Sequence, residues 1–373
     1  MSNYKSNIIS KSVISSLGFS VEENFSALKN NLSGVRLYDL PVLEEKLPLG
    51  KCDNDTFKEK VDNLNITDNY TRFEKFLILS VVDALKETEI NPTSKDTIII
   101  ISTTKGNVDL IHDITQRDKL SLWYSAERVR NYFSAPNTPL VISNACISGV
   151  LALVHAHRLL SENIYKNAIV VGADILSDFV ISGFNSFKSL SPGICKPFDE
   201  SRDGLNIGEG AATIVLSNSI KGKYCISSGA SANDANHISG PSRTGEGLYQ
   251  AIIHTVQESN NFDYISAHGT ATPYNDDMES IALTRAGLNS IPVNSYKAYI
   301  GHTLGAAGLI ETVFSLLSME NGLLFKSIGC ETPGVVEKIN ILRKNENKNV
   351  RKILKLASGF GGCNSAMIIE ENF

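Results

Sequence analysis

The amino-acid sequence predicts a layered α/β fold. Short apolar runs of strand length alternate with longer segments of helical period, which is the pattern of helices packed on a sheet. The chain has 373 residues and 42% hydrophobic content, enough to bury the core of one large or two ordinary domains. Segments 208–216 and 361–369 both join a small-residue turn to an apolar strand. This internal similarity predicts two α/β halves, residues 1–218 and 219–373.

The elements are predicted from the length and period of each apolar segment. Strands are assigned to short apolar runs bounded by turn residues, namely Thr97–Ser102 and residues 139–143, 168–172, 212–216, 264–267 and 353–357. Helices are assigned where apolar residues recur at helical spacing, namely residues 71–86, 146–161, 245–259, 277–286 and 305–320. Residues 35–68 and 106–137 are polar and irregular, so we expect surface excursions there.

Charge and cysteine spacing exclude several classes of protein. A formal net charge of −5 gives no basic field that would hold nucleic acid or an anionic membrane. The N-terminal residues lack a signal-peptide core and no apolar run reaches membrane-spanning length, so we expect a cytoplasmic protein. No glycine-rich segment completes a dinucleotide or phosphate loop, so we expect no cofactor. Six scattered cysteines without zinc-ligand spacing predict reduced thiols and no metal site: Cys52, Cys146, Cys195, Cys225, Cys330 and Cys363.

Cys146 stands between a predicted strand and a helix that is apolar on most of its circumference. Such a helix is buried, and the positive end of its macrodipole would favour an anion at its first turn. We therefore expect the pKa of the Cys146 thiol to fall and its thiolate to be nucleophilic. The alternative is that Cys146 is inert packing, as most buried cysteines are.

His268 and His302 occupy comparable junctions in the second half of the chain. His268 follows a predicted strand and precedes a Gly-Thr turn, and His302 lies between two glycines ahead of an apolar helix. Such junctions expose a side chain to a central cavity, which would bring both histidines near Cys146. A lone histidine at such a place is otherwise a structural residue.

Five motifs follow one another along the chain: SNACISG, KPFDESRDGLNIGEGAA, AHGTATPYNDDMES, KAYIGHTLGAAG and SGFGGCNSA. In this order they resemble the signatures of the β-ketoacyl-acyl carrier protein synthases, the decarboxylative condensing enzymes of the thiolase fold. The resemblance implies duplicated α/β halves in a five-layer αβαβα arrangement. It places the nucleophile in residues 1–218 and two catalytic histidines in residues 219–373.

The resemblance also implies a role for each matching site residue. Cys146 matches the nucleophile that accepts the acyl chain. His268 and His302 match the pair whose N–H groups stabilise the charge formed when malonyl loses CO2. Lys297 and Glu279 match an electrostatic pair that orients these histidines.

Phe360 matches the residue that gates the acyl pocket in the resembled family. Its backbone N–H and that of Cys146 would form the oxyanion hole. Thiolases use a second cysteine, and chain-initiating condensing enzymes use Cys-His-Asn. The Cys-His-His set of this chain therefore predicts an elongating synthase.

The predicted reaction is decarboxylative Claisen condensation of a cysteine-bound acyl chain with malonyl-acyl carrier protein, giving 3-oxoacyl-acyl carrier protein. The chain is shorter than typical elongating synthases, and the shortfall lies around residues 35–70 and 105–137. Compact members resemble aryl polyene and type II polyketide ketosynthases, so these pathways and fatty acid elongation both stay open. One alternative is a chain-length-factor-like partner subunit with little activity alone, and another is a cysteine hydrolase using Cys146 and one histidine.

The predicted partner is an acyl carrier protein carrying an acyl or malonyl group. Four basic residues correspond to the family's carrier-protein entrance, although ordinary solvated charges are an equal alternative: Arg72, Lys75, Arg128 and Arg130. The resemblance further implies a dimer in which residues 139–143 pair across a two-fold axis. Homodimer and heterodimer with a related subunit are both open.

Overall fold

A computed structural model describes residues 5–234, 236–256 and 261–372. Its strands are β1 Ser6–Ile14, β2 Arg36–Leu40, β3 Glu45–Leu49, β4 Thr97–Ser102, β5 Leu140–Ile142, β6 Asn167–Asp174, β7 Gly210–Ser217, β8 Tyr224–Asn233, β9 Tyr264–Ser266, β10 Val293–Asn294, β11 Leu323–Leu324, β12 Glu346–Asn347, β13 Lys352–Gly359 and β14 Cys363–Glu371. Its α-helices are α1 Val21–Lys29, α2 Asn54–Asn63, α3 Arg72–Leu85, α4 Leu122–Tyr132, α5 Ser148–Ser161, α6 Asp178–Ser186, α7 Glu246–Thr255, α8 Pro273–Arg285, α9 Lys297–Ile300 and α10 Ala307–Asn321. Short 3₁₀ helices span Val108–Leu110, Ile114–Leu120 and Leu304–Ala306.

The strand order repeats within the chain. Ten strands run in the order β10-β9-β13-β14-β8-β1-β7-β6-β4-β5. In each half the first strand lies at the centre and the last strand pairs beside it in antiparallel fashion. The three outer strands of each half are then parallel to one another. The halves meet where Ser6 to Ile8 of β1 pair with β8.

The layers are defined by the helices that cover the apolar faces of the ten-stranded sheet. Helix α3 packs on β1, β6 and β7, and α7 packs on β8 and β14 with α8 beside it. Helices α5 and α10 lie between the two halves and contact strands of both. Three separate clusters of buried side chains fill the spaces between these layers. The expected α/β fold with duplicated halves in five layers is confirmed; the division into two domains at residues 218 and 219 stays a prediction.

The predicted elements are present, and the structure adds several that were not predicted. Predicted helix 245–259 is α7, and its residues 257–259 lie outside the described residues. Residues 35–68 and 106–137, which we expected to be surface excursions, contain the β2-β3 hairpin, α2 and α4, none of which was predicted. These elements bury few side chains, for example Phe57 and Val61 of α2, so their apolar pattern is weak. Nowhere in the described ranges is a helix both long and apolar enough to cross a membrane.

Two glycines bring the central helices into backbone contact. Gly149 is the second residue of α5, and Gly308 is the second residue of α10. A Cβ added to Gly308 would lie 2.5 Å from the backbone nitrogen of Val150, and one added to Gly149 would lie 2.7 Å from the backbone nitrogen of Leu309. Only residues without a Cβ allow this approach, so the glycines set the distance between the N-terminal ends of the two helices.

We expect Gly308→Ala to lower the free energy of unfolding by about 1–3 kcal/mol, because the new methyl group must push two helices apart. The matched control is Gly183→Ala in α6, where an added Cβ meets nothing within 4 Å. Alanine is the better helix former, so the control should stabilise by about 0.5–1 kcal/mol. Urea unfolding of both variants measures the difference, and equal stabilities would contradict the packing described.

Candidate active site

Cys146 lies on a tight turn between β5 and α5. Ala145 has a φ of 44°, a left-handed conformation that side chains rarely adopt. Ser148 holds the turn closed, since its hydroxyl donates to the carbonyl of Ala145 at 2.6 Å and accepts from the N–H of Asn144 at 2.8 Å. Gly359 passes so close behind that an added Cβ would be 3.0 Å from the Cys146 nitrogen. The turn therefore fixes where the Cys146 sulfur points.

The structure brings the three predicted catalytic side chains together. The Nε2 atom of His302 lies 2.9 Å from the Sγ atom of Cys146. The rings of His268 and His302 are 5.1 Å apart between centroids and nearly perpendicular at 81°. One donor atom from each of the three residues lies within 4.8 Å of the other two, close enough to hold a metal ion as well. The absence of a metal site stays a prediction.

Burial controls the protonation states of this group. Burial raises the pKa of Cys146 to about 12, although the Lys297 ammonium acts in the opposite direction. The expected fall in the Cys146 pKa is therefore wrong, because loss of hydration outweighs the nearby positive charge. Burial, followed by Lys297, holds the pKa of His268 and of His302 well below the ordinary value. The resting pair is a neutral thiol beside a neutral imidazole.

A neutral imidazole can serve in two ways at this site. His302 Nε2 is placed to accept the Cys146 proton as sulfur becomes nucleophilic. Once protonated, the same nitrogen is a donor for negative charge on a substrate oxygen. The Nδ1 atom of both rings is buried and, among the residues described, without a hydrogen-bond partner.

Two acidic residues of α8 hold the backbone that carries His268. Glu279 accepts from the N–H of His268 at 2.7 Å and from that of Gly269 at 2.6 Å. Asp276 accepts from the N–H of Thr270 at 2.9 Å. Burial raises the pKa of Asp276 to about 6 and that of Glu279 to about 7. These carboxyl groups cap the turn and keep its shape.

Lys297 forms its ion pair with Glu311. Its charge also acts on Glu279, opposing the burial that raises the pKa of that carboxyl group, so the electrostatic role expected of Lys297 and Glu279 stays a prediction. Both oxygens of Glu279 accept backbone N–H groups. A second lysine, Lys355, donates to the other Glu311 oxygen at 2.6 Å. Neither Glu311 nor Lys355 was predicted as a site residue. Each can be recognised in the sequence as the one charged residue inside a mostly apolar segment, LIETVF for Glu311 and ILKLA for Lys355.

Phe360 contributes both backbone and ring to the site. Its backbone lies close enough to Cys146 to act against the rise in the pKa of that thiol, and its N–H as an oxyanion-hole donor stays a prediction. Its ring stacks on Phe184 with centroids 5.7 Å apart and meets Phe187 edge-on at the same distance. Gly361 follows with a φ of 85°, which gives the loop a sharp turn. The gating role of Phe360 stays a prediction.

A cavity of about 590 Å³ leads from the surface to the catalytic group. Cys146, His268 and His302 lie on its inner wall and are almost completely buried. Both halves of the chain contribute to the lining. The other lining residues include Phe184, Phe187, Lys188, Leu205, His237, Pro241, Thr270, Thr272, Tyr274, Met278 and Phe360. A substrate arm can therefore reach the sulfur from outside.

The four basic residues predicted to bind the carrier protein lie elsewhere. All have intramolecular partners, and the residues that line the cavity do not include them. The contacts are Arg72 with Glu209, Lys75 with Asp68, Arg128 with the backbone oxygen of Asn69, and Arg130 with Glu127. Each of these side chains thus has a partner within the chain, and their contact with a carrier protein stays a prediction.

The fold and the site together are those of an acyl-transfer enzyme, and the role of Cys146 as its nucleophile stays a prediction. Family models match most of the chain: the N-terminal domain of β-ketoacyl synthases at residues 9–220 and the C-terminal domain at residues 224–331. The chain therefore belongs to the β-ketoacyl synthase family. The predicted resemblance and the predicted enzyme class, a condensing acyltransferase, are confirmed.

Individual relatives agree with the family. The chain is 26% identical to 3-oxoacyl-[acyl-carrier-protein] synthase 2 of Rhizobium meliloti over 96% of both chains. It is 29% identical to the synthase 2 of Coxiella burnetii over 64% of this chain and 62% of that protein. Among solved structures, it superposes on the ketosynthase ApeO with its chain length factor from Xenorhabdus doucetiae with a TM-score of 0.87, 24% identity and coverage of 99% and 98%. The ishigamide ketosynthase/chain length factor gives a TM-score of 0.89 at 21% identity over all of both chains.

We expect both active-site histidines to remain neutral from about pH 8 down to about pH 6. A pKa below the ordinary value of 6.5 means that the neutral form persists to lower pH. NMR of histidine-labelled protein can follow the two rings, with His268→Ala and His302→Ala assigning the signals. A titration midpoint at or above about pH 6.5 for either ring would contradict the burial effect.

Proposed function

We propose that this chain catalyses decarboxylative Claisen condensation between a cysteine-bound acyl chain and malonyl-acyl carrier protein, giving 3-oxoacyl-acyl carrier protein. The observation that carries the proposal is the convergence of Cys146, His268 and His302 at the inner wall of one cavity. A cysteine hydrolase would need one histidine and would leave the second histidine and buried Lys297 without a role.

The first half of the reaction loads the acyl chain. Cys146 Sγ attacks the acyl thioester carbon while its proton passes to His302 Nε2, 2.9 Å away. The N–H groups of Cys146 and Phe360 stabilise the oxyanion. The carbon–sulfur bond to the carrier protein then breaks, and the departing thiolate takes the proton from His302. The products are acyl-Cys146 and free carrier protein.

The second half forms the new carbon–carbon bond. Malonyl-carrier protein binds, its carboxylate leaves as CO2, and the electron pair of the broken bond moves into an enolate. With the Cys146 sulfur acylated and no longer donating, the neutral His302 ring carries its single proton on Nε2. The N–H groups of His268 and His302 then stabilise the negative charge on the thioester oxygen. The enolate carbon attacks the acyl-Cys146 carbonyl, and the carbon–sulfur bond breaks as the Cys146 sulfur leaves. Proton uptake returns the thiol to its resting state.

We further propose that the native chain belongs to fatty acid elongation or to aryl polyene and type II polyketide extension. Support comes from both kinds of relatives, since Rhizobium synthase 2 is a 3-oxoacyl synthase and ApeO is a ketosynthase with a chain length factor. Aromatic rings line the cavity beside Cys146, with Phe184 and Phe187 against Phe360. A panel of acyl chains separates the pathways, because a preference for saturated chains over conjugated or aryl-bearing ones would count against aryl polyene extension.

We propose that the partners are an acyl carrier protein and a second ketosynthase-like chain. Strand β5 is the last strand of the sheet and pairs with β4 along one edge. Leu140, the first residue of β5, is 40% exposed, and Trp123 of nearby α4 is 64% exposed. An edge strand with exposed apolar side chains can pair across a two-fold axis. The second chain is either an identical copy or a chain-length subunit, as in the ApeO complex.

The alternative of an inactive chain-length-factor-like subunit is less well supported. Such subunits usually lack the nucleophile, whereas here Cys146 is present and is hydrogen-bonded to His302.

A cytoplasmic location belongs to the same proposal. All six cysteines are free and buried, which suits a reducing compartment.

The test separates acyl loading from decarboxylation. We expect wild-type protein to release CO2 from malonyl-carrier protein and to form 3-oxoacyl product. We expect His268→Ala to keep acyl loading while CO2 release falls roughly 100-fold or more, because one donor to the enolate is lost. His254→Ala, an exposed histidine of α7, is the matched control and should behave as wild type. Undiminished CO2 release by His268→Ala would refute the mechanism.

A further inference from the structure

We propose that Lys355 is a positioning residue of the decarboxylation step, supplying the positive charge behind the histidines that favours the malonyl carboxylate and the enolate. The inference rests on the proposed function. It adds a residue from β13 to a site whose other groups come from the turn before α5 and from the loops after β9 and before α10.

The contacts of Lys355 place its ammonium group directly behind the His268 loop. Lys355 is fully buried in the middle of β13. Its Nζ atom lies 2.6 Å from Glu311 Oε2. It also lies 3.4 Å from the carbonyl oxygens of Ser266 and Ala267, the two residues immediately before His268. One side chain therefore joins the end of β9 to α10.

Within the ion-paired group of Glu311, Lys297 and Lys355, two positive charges face one carboxylate. Glu279 is a further carboxyl group that acts on Lys355, and burial raises its pKa to about 7, so it is only partly charged near neutral pH. Glu311 Oε1 bonds Lys297, and Glu311 Oε2 bonds Lys355, with all three side chains at 2% exposure or less. One lysine would neutralise the carboxylate. A second buried ammonium carries a hydration penalty of several kcal/mol, and replacing buried ions by apolar groups is often neutral or stabilising. Stability alone therefore does not account for Lys355.

The strand pattern supports the same conclusion. Ile353 and Ala357 precede and follow Lys355 on the same face of β13, and both are buried in the central apolar cluster. Strand alternation therefore predicts an apolar side chain at position 355. Departures from such a pattern occur mainly at functional sites, where another requirement is being met.

The extra charge suits the chemistry of decarboxylation. Malonyl arrives as a carboxylate, and its negative charge moves to the thioester oxygen as CO2 leaves. A buried positive charge nearby favours both anions because little water screens it. The same positive charge disfavours a charged imidazole. Burial has the largest effect in lowering the pKa of His268, followed by Lys297, His302 and Lys355. His268 thus remains a neutral N–H donor.

The test compares Lys355→Met with Ile353→Met, which changes packing on the same strand face without changing charge. Acyl loading of Cys146 is followed by intact mass, and CO2 release from malonyl-carrier protein is followed separately. We expect Lys355→Met to load acyl groups within about twofold of wild type and to release CO2 about tenfold more slowly. Ile353→Met should keep both rates within about twofold of wild type.

A double variant distinguishes charge from packing. Lys355→Met with Glu311→Gln again leaves one net positive charge, on Lys297, so we expect it to recover most of the lost CO2 release. Equal loss of loading and CO2 release in Lys355→Met would indicate a merely structural role and overturn the inference. Wild-type CO2 release in Lys355→Met would do the same. Absence of CO2 release by the wild type would instead overturn the proposed function itself.

If Lys355→Met fails to fold, Lys355→Gln replaces it, because an amide can still donate to Glu311 without carrying charge. The same tenfold loss of CO2 release with normal loading is then expected. Normal rates for both steps in Lys355→Gln would overturn the inference.

Discussion

The contact between α5 and α10 is the constraint on which the active site depends. The two helices touch through backbone atoms at Gly149 and Gly308, at the same point in each half of the repeated topology. Cys146 precedes one helix and His302 precedes the other, so the glycine contact brings the two side chains within 2.9 Å. The site therefore arises at the junction of two similar halves, and each half supplies a part that is inert alone.

Loss of hydration determines the electrostatics of this junction. Burial raises the pKa of the Cys146 thiol and lowers that of both histidines, so the reacting groups rest uncharged. The charged groups stand one layer behind, where Glu311 is held between two lysines. Charge then develops at the centre only when substrate reacts. Preorganised groups of this kind stabilise the transition state without rearranging.

Sequence patterns were sufficient for the main elements and for the residues at the centre. Apolar segments of clear period, such as β4 and α10, gave their positions directly, and five ordered motifs pointed to Cys146, His268 and His302. The ion-pair partner of Lys297 could not be identified without the tertiary structure, because Glu279 and Glu311 are both acidic residues near Lys297 in the sequence. The predicted fall in the pKa of the Cys146 thiol was wrong because the prediction considered the helix dipole without the burial that opposes it. The β2-β3 hairpin and α4 escaped detection because they bury few side chains.

The central claim is that Cys146 is the acyl-accepting nucleophile of a condensing enzyme. Intact-protein mass spectrometry after mixing the chain with a panel of acyl-carrier proteins tests it most directly, with Cys146→Ala as the control. The account predicts a mass increase equal to the acyl group in the wild type and none in the variant. An equal mass increase in both proteins, or none in the wild type with any donor, would contradict it.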